Sequence, residues 1–308
     1  MNEKVSTFPD QMLRLTQALP WPLSSATFNV LRMMFETRGR ANRAYTRIRF
    51  GQVAIDAPLD HPAVYWRYRP VGFNRNFLSV VRHVVAAREG LVIDVGANIG
   101  DGVALLRGEG VNAPVLAIEG AGVWFDLLKQ NTKSLSSVWL ENVFLGTGEA
   151  EQPVALYVHD GTSQLVKSER GVDITTLDQV MQRHSEHPVA LLKTDTDGFD
   201  LKVLKGARKL LSLQQPVVFA EVDEGLMSEQ GDKAEDLVRY FLDCGYLWVA
   251  IWDNLGRWMG HRELKRGISD LVARCPGGPK MPYLDVALFA ERDRKAYESI
   301  SGSYEKPV

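Results

Sequence analysis

From residue 91 onward the chain alternates short apolar runs with stretches of mixed polarity. The runs fall near 91–95, 115–119, 138–145, 153–158, 189–194, 216–222, 246–252 and 284–290. They are of strand length and rich in valine, isoleucine and leucine, the pattern of strands covered on both faces. Most gaps between them predict helices. In one, Leu201, Leu204 and Leu211 lie about one helical turn or a multiple apart, with Lys202, Lys205 and Arg208 on other faces. Alternation of this kind predicts an α/β fold with a mostly parallel sheet and helices on both faces. Asp253-Asn-Leu-Gly256 is a turn signal that opens an irregular insertion over 257–283. The expected organisation is an N-terminal appendage at 1–90, a ligand-binding domain at 91–292 that contains the insertion, and a tail at 293–308.

Polar residues that interrupt this pattern mark the candidate chemistry. Residues 91–102, Leu-Val-Ile-Asp-Val-Gly-Ala-Asn-Ile-Gly-Asp-Gly, read as a buried strand running through a glycine turn into a helix. Gly96 and Gly100 permit the sharp turn and close approach of a ligand to the helix start. Asp94 is a carboxylate at the end of an apolar strand, where it costs free energy unless it accepts hydrogen bonds. A ligand with donors or positive charge would supply them. The turn lacks a dinucleotide fingerprint, because Asn98 stands where the second glycine of Gly-x-Gly-x-x-Gly belongs. It also lacks the lysine and hydroxyl of a phosphate loop, and Asp101 repels phosphate. A ligand without phosphates is expected.

The second run ends in Glu119, 23 residues after Gly96, near the position from which Rossmann-like folds bind ribose hydroxyls. The plainer alternative is a glutamate capping the next helix. A third block, Ala190 to Ala207, holds Asp195, Asp197 and Asp200 within six residues. Asp200 is placed as an N-cap. Asp195 and Asp197 straddle the strand end, where open α/β sheets place their ligands.

These segments carry a family resemblance. Asp94-x-Gly96-x-Asn98-x-Gly100 resembles the first motif of S-adenosylmethionine-dependent methyltransferases. The run from Val92 to Gly100, through Lys193-Thr-Asp-Thr-Asp-Gly-Phe-Asp200 and Val203-Leu-Lys-Gly-Ala207, to Pro216-Val-Val-Phe-Ala-Glu221 is similar to the FkbM-type methyltransferases. The similarity spans roughly residues 60–290. It implies a class I methyltransferase fold with a mostly parallel seven-stranded sheet, S-adenosyl-L-methionine as cofactor, and methyl transfer to an oxygen, often a sugar hydroxyl. Family members more often show Asp-x-Glu-Gly-x-Glu where this chain has Asp195-Thr-Asp197-Gly-Phe-Asp200, so both glutamates are one methylene shorter. The variant resembles those found beside bacterial O-antigen and polysaccharide biosynthesis, which implies a glycan substrate. The resemblance places Asp94, Gly96, Asn98 and Gly100 at the cofactor turn, Glu119 at its ribose and Asn142 at its adenine edge.

Composition adds limits. Hydrophobic content of 45% and charged content of 24% are those of an ordinary soluble globular protein, and the 308 residues suffice for one large α/β domain with appendages. Apolar runs are far shorter than the roughly 20 residues of a spanning helix, and the N-terminus does not look like a signal peptide, so a cytoplasmic location is expected. Cys244 and Cys275 lack metal spacing and are expected as buried thiols. Between Val30 and Gly90 eleven arginines face four acids, a formal charge of +7 against −2 for the whole chain. Arg67, Arg69 and Arg75 are therefore candidates for an anionic acceptor such as a nucleotide- or lipid-linked sugar. A solvated basic face paired with the acidic remainder is the plainer alternative. Weak peripheral contact with an anionic membrane and homo-oligomerisation stay open.

Methyl transfer to a hydroxyl needs a base, and Asp195, Asp197 and Glu221 are the catalytic candidates, the two aspartates as a coupled pair. The same three oxygens could instead hold a divalent cation. Trp252 and Trp258 beside the insertion are candidates for sugar stacking. His184 and His187 read as exposed polar residues. A nucleic-acid methyltransferase is disfavoured by the missing Pro-Pro-aromatic element and by a pI of 6.3. A catalytically silent methyltransferase-fold scaffold is the alternative of another class.

Overall fold

Alternate residues of each central strand enter different cores. In the computed structural model, which describes residues 7–16, 18, 23–42, 44–66, 68, 74–148, 154–159, 162–167, 173–268 and 283–305, the chain begins with α1 (Phe8–Thr16), α2 (Leu23–Asn42), the hairpin β1 (Tyr45–Phe50) and β2 (Val53–Pro58), α3 (Pro62–Trp66) and α4 (Arg75–Ala87). There follow β3 (Leu91–Val95), α5 (Asp101–Gly108), β4 (Val115–Ile118), α6 (Gly122–Thr132), β5 (Val138–Glu141), β6 (Phe144–Leu145), β7 (Val154–His159), β8 (Thr162–Lys167), β9 (Ile174–Thr175) and α7 (Leu177–Met181). The last part holds β10 (Val189–Thr194), α8 (Asp200–Lys205), α9 (Arg208–Leu213), β11 (Val217–Val222), α10 (Glu224–Glu229), α11 (Ala234–Asp243), β12 (Tyr246–Asp253), β13 (Trp258–Glu263), β14 (Leu284–Ala290) and α12 (Arg294–Glu305).

Eight strands form the central sheet in the order β13-β12-β14-β11-β10-β3-β4-β5. From β5 to β11 all pairings are parallel, and β14 enters antiparallel between β11 and β12. Read from β3 outward, this is the Rossmann order with one antiparallel strand inserted near its far edge. It is a class I methyltransferase fold, with one more strand than the seven expected. On one face Ile93, Ile118, Leu192, Val218 and Leu288 pack with α7, α8, α9 and α11. On the other, Val92, Ala117, Leu191, Phe219 and Phe289 pack with α4, α5, α6 and α12, and Ile48, Phe50, Ile55 and Val64 from the N-terminal segment join the same cluster.

The strands fall where the apolar runs predict them, with three departures. The run at 138–145 breaks at Asn142-Val143, so only 138–141 joins the sheet and 144–145 pairs with β9. The run at 153–158 is one arm of a hairpin whose other arm, β8, carries too many polar residues to stand out. Within the expected insertion, Trp258–Glu263 is an edge strand against β12, and Cys275 lies among residues 269–282, outside the described ones. Cys244 is buried and free.

Candidate active site

Sheet register assembles a polar row on the face that carries α4. Asp94 of β3 stands directly beside Lys193 of β10. Two strands further, Glu221 of β11 stands directly opposite Asp285 of β14. Asp94, Lys193 and Glu221 stand two residues after Val92, Leu191 and Phe219, and Asp285, on antiparallel β14, two before Ala287, so one sheet face ends in charge at the carboxyl ends of the parallel strands. The Lys193 ammonium lies 3.0 Å from Asp94 Oδ1 and 3.2 Å from Asp195 Oδ2, almost fully buried. Burial alone would lower its pKa, and attraction to Asp94 and Asp195 outweighs it, so the lysine is held charged above its usual range. Asp94 thus finds its donor within the protein, through a residue that the sequence reading left without a role.

The second pair differs. Burial pushes Glu221 well above the usual carboxylate range, and the neighbouring Asp195, Asp200 and Asp285 add to the shift. Asp285 is pushed up to about 7 by burial, although its Oδ2 accepts a 2.7 Å bond from Asn76 Nδ2 on α4. Asp101, at the start of α5, is likewise raised to about 7 by burial. Asp285, Asn76 and Lys193 escaped the sequence reading. The signal that picks out Asp94, a carboxylate inside an apolar run, is equally present in Leu284-Asp285-Val286-Ala287.

Two clefts open at this end of the sheet, and the larger of them lies over the row. The smaller, about 600 Å³ with its mouth included, has Glu119 and Trp124 on one side and Ile118, Val143, Phe144 and Phe199 as its apolar wall. Glu119 Oε2 accepts from the Asn98 amide at 2.9 Å and Oε1 from the Ala121 amide at 2.8 Å. Glu119 thus bonds the N-cap residue of α6 but no amide of its first turn, lines the smaller cleft, and keeps a lone pair on each oxygen. Burial raises Glu119 despite these two bonds. The larger cleft, about 1710 Å³ with its mouth included, is lined by Asp94, Asp101, Lys193, Glu221 and Asp285 and walled by His61, Trp66, Phe219 and Leu255. Gly96, Asn98, Asp195 and Asp197 line both.

The turn residues are fixed by packing. A Cβ at Gly96 (φ 78°) meets the Asp195 carbonyl at 2.0 Å, and one at Gly100 (φ 84°) meets a Leu128 methyl at 2.9 Å. Close approach of β10 and α6, rather than of a ligand, is thus the immediate reason for glycine. Asn98 (φ 48°) and Asp197 (φ 50°) also sit in the left-handed region, which asparagine and aspartate tolerate best after glycine. His61 Nδ1 accepts from the Ala63 amide, so its other nitrogen carries the proton and donates to Asn98 Oδ1 at 3.2 Å.

Several expected residues lie elsewhere. Asn142 donates its amide to the carbonyls of Glu119 and Gly120 and lines neither cleft, so it braces the turn that carries Glu119. Asp200 is not the N-cap of α8: Phe199 holds that place, and Asp200 is a buried first-turn residue whose Oδ2 faces the Thr196 amide at 3.4 Å. Trp252 and Trp258 pack edge to face on each other and Trp258 stacks on Tyr304 at 4.7 Å; Trp252 is fully buried, Trp258 half-buried, and neither lines a cleft. His184 is buried against Glu141 at 3.0 Å, because β5 places that carboxylate beside it. Arg75 pairs with Glu109 and lines neither cleft. Arg67 and Arg69 lie outside the described residues. Among the described residues no group of three or more His, Cys, Asp or Glu side chains has the arrangement of a metal site.

The profile of the FkbM methyltransferase domain matches residues 94–247, half of the chain and the segment that carries every rim acid from Asp94 to Glu221. The chain belongs to the FkbM methyltransferase family. No curated protein matches it. Among solved structures it is similar to an FkbM methyltransferase from Methylobacillus flagellatus, at 16% identity and a TM-score of 0.41 over 91% of this chain. It spans 58% of that protein's length. TYW2 of M. jannaschii in complex with AdoMet aligns at 14% identity and a TM-score of 0.40, over 79% of this chain and 84% of that one. The METTL16 methyltransferase domain aligns at 11% and 0.44, over 84% and 78%.

S-adenosylmethionine is the cofactor that belongs with this family and fold, and the smaller cleft fits it. Two open acceptor positions on Glu119 suit a ribose diol, and the Val143 and Phe144 wall suits a flat base. The acidic rim that both clefts share suits the cationic methionine end.

Proposed function

We propose that this FkbM-family domain methylates a hydroxyl of a sugar, a glycan or a related metabolite, with Glu221 as general base. The carrying observation is the larger cleft: it shares Asp195 and Asp197 with the cofactor cleft and holds a carboxylate pair, Glu221 and Asp285, whose proton affinity burial has raised. A base works best with a pKa near the working pH, which raised carboxylates approach. Bound S-adenosylmethionine supplies an electrophilic methyl whose leaving group is a neutral thioether. Asp195 and Asp197 hold acceptor hydroxyls at the junction of the clefts, Glu221 takes the proton, and Asn76 keeps Asp285 aligned beside it. Positioning of the reacting atoms can contribute on the order of 7–11 kcal/mol.

The cleft is strongly acidic, with Lys193 its one ammonium among the described residues. Polyhydroxylated, uncharged acceptor parts are therefore favoured inside it, and an anionic nucleotide or lipid carrier stays outside. Tritium transfer from labelled S-adenosylmethionine to panels of glycans, amines and RNA tests the class; methylation confined to amines or RNA refutes it. Glu221→Gln is expected to lower kcat about 10²–10⁴-fold with a smaller change in KM. In the wild type the rate falls as pH drops through a value above the ordinary carboxylate range, since the base must be ionised. An unchanged kcat and pH profile in the variant removes Glu221 from that role.

A further inference from the structure

We propose that the outward face of α2 docks on an anionic membrane surface. Helix α2 carries two apolar faces. Phe28, Leu31 and Phe35 point inward onto the core and Gly39 is buried, with Phe28 edge-on to Tyr68 at 5.9 Å. Leu23, Val30, Met33 and Met34 form a second stripe at helical spacing, every one of them more than half exposed, and exposed Ala26 and Ala41 continue it. Leu15 of α1 is 65% exposed as well. Five of the nine large apolar side chains that the described surface exposes are thus gathered on two adjoining helices. A contiguous patch of this kind on an otherwise polar surface marks an interaction site.

Charge selects the occupant. At the 100° step of a helix, Arg38 and Arg40 fall roughly 80° to either side of the stripe, both exposed. The helix has a single acid, Glu36, and it is held by Arg32 at 2.8 Å. An apolar stripe flanked by arginines is the composition of a helix that lies in a bilayer interface, where apolar burial and attraction to anionic headgroups act together. Two copies joined through this face set arginine against arginine with no free carboxylate in the helix to answer them. An anionic leaflet complements both the stripe and its flanks. The inner face of α2 packs toward the segment that brings His61 and Trp66 to the larger cleft, with the Gly39 position hard against the backbone of Asp60. Docking thus holds that lip of the cleft near the membrane.

This inference goes beyond the methyl-transfer reading, and its test reads binding alone. The full chain is sedimented with phosphatidylcholine vesicles with and without phosphatidylglycerol, beside Met33→Glu/Met34→Glu and, separately, Arg38→Gln. Binding is expected only with the anionic lipid and is weakened by salt. The double glutamate variant lowers it by about tenfold or more and Arg38→Gln lowers it less, both with an unchanged Tm because the three positions are exposed. Absence of wild-type binding, equal binding to neutral vesicles, or undiminished binding by the double variant each overturns the proposal. So does a wild-type dimer, seen by light scattering, that the double variant turns into a monomer, since the stripe then joins two copies.

Discussion

Lys193 touches two carboxylates, Asp94 of β3 and Asp195 just past the end of its own strand, and its removal acts on both. A buried charge that loses its partner typically costs about 3–5 kcal/mol. Lys193→Met is expected to lose stability of that order in urea unfolding, because Asp94 remains buried without a cation. The double variant Lys193→Met/Asp94→Asn should regain much of the loss, and failure to do so means that Asp94 is not the reason for it. Asp200 tests the opposite sign. Burial raises it from 3.8 to about 7, so its share of stability is complete below the unfolded value and is lost as pH rises through the folded one. Asp200→Asn is therefore expected to raise stability above pH 7, by at most about 4 kcal/mol at 1.36 kcal/mol per pKa unit, and to flatten the fall in stability between about pH 4 and 7. Urea midpoints across that range measure it; an asparagine variant less stable than wild type at pH 8 contradicts it.

At the scale of elements, the turn after β3 is the least tolerant place in the fold. Gly96→Ala puts a methyl 2.0 Å from the Asp195 carbonyl at a φ of 78°. Backbone must shift, so a loss of several kcal/mol is expected, or a chain that does not fold; a Tm within a few degrees of wild type contradicts that contact. The same junction shows what pattern can reveal. Strands β3, β4, β10, β11 and β14 were legible because burial on both faces forces a continuous apolar run, and the rim acids Asp94, Glu119, Asp195 and Glu221 were legible as interruptions of such runs. Lys193 was not, because its partner Asp94 is 99 residues away and only register brings them together. Asn76 was hidden for the same reason, 209 residues from Asp285. Edge strand β13 has a polar, half-buried sequence, Trp-Met-Gly-His-Arg-Glu, that no period distinguishes from a loop. Asp200 was misread as a cap because aspartate before a helix is common, whereas here it is buried within the first turn.

At the scale of the whole molecule, the arginine-rich first part and the acidic remainder are bound by ion pairs as well as by a common core. Arg75 and Arg82 both reach Glu109, and Arg88 reaches the buried Asp293 at 3.3 Å. The basic excess of residues 30–90 is thus partly spent inside the fold, while Arg38 and Arg40 of α2 stay exposed at its surface. The wall common to the two clefts, made of Gly96, Asn98, Asp195 and Asp197, has its own consequence for kinetics. Whatever fills one cleft finishes the surface of the other, so the methyl donor becomes part of the acceptor's binding site. Substrate addition should then be ordered, donor first, and acceptor affinity measured by calorimetry should rise when S-adenosylhomocysteine is already in place, the demethylated product acting as a scaffold for the next acceptor as well as an inhibitor of the next turnover.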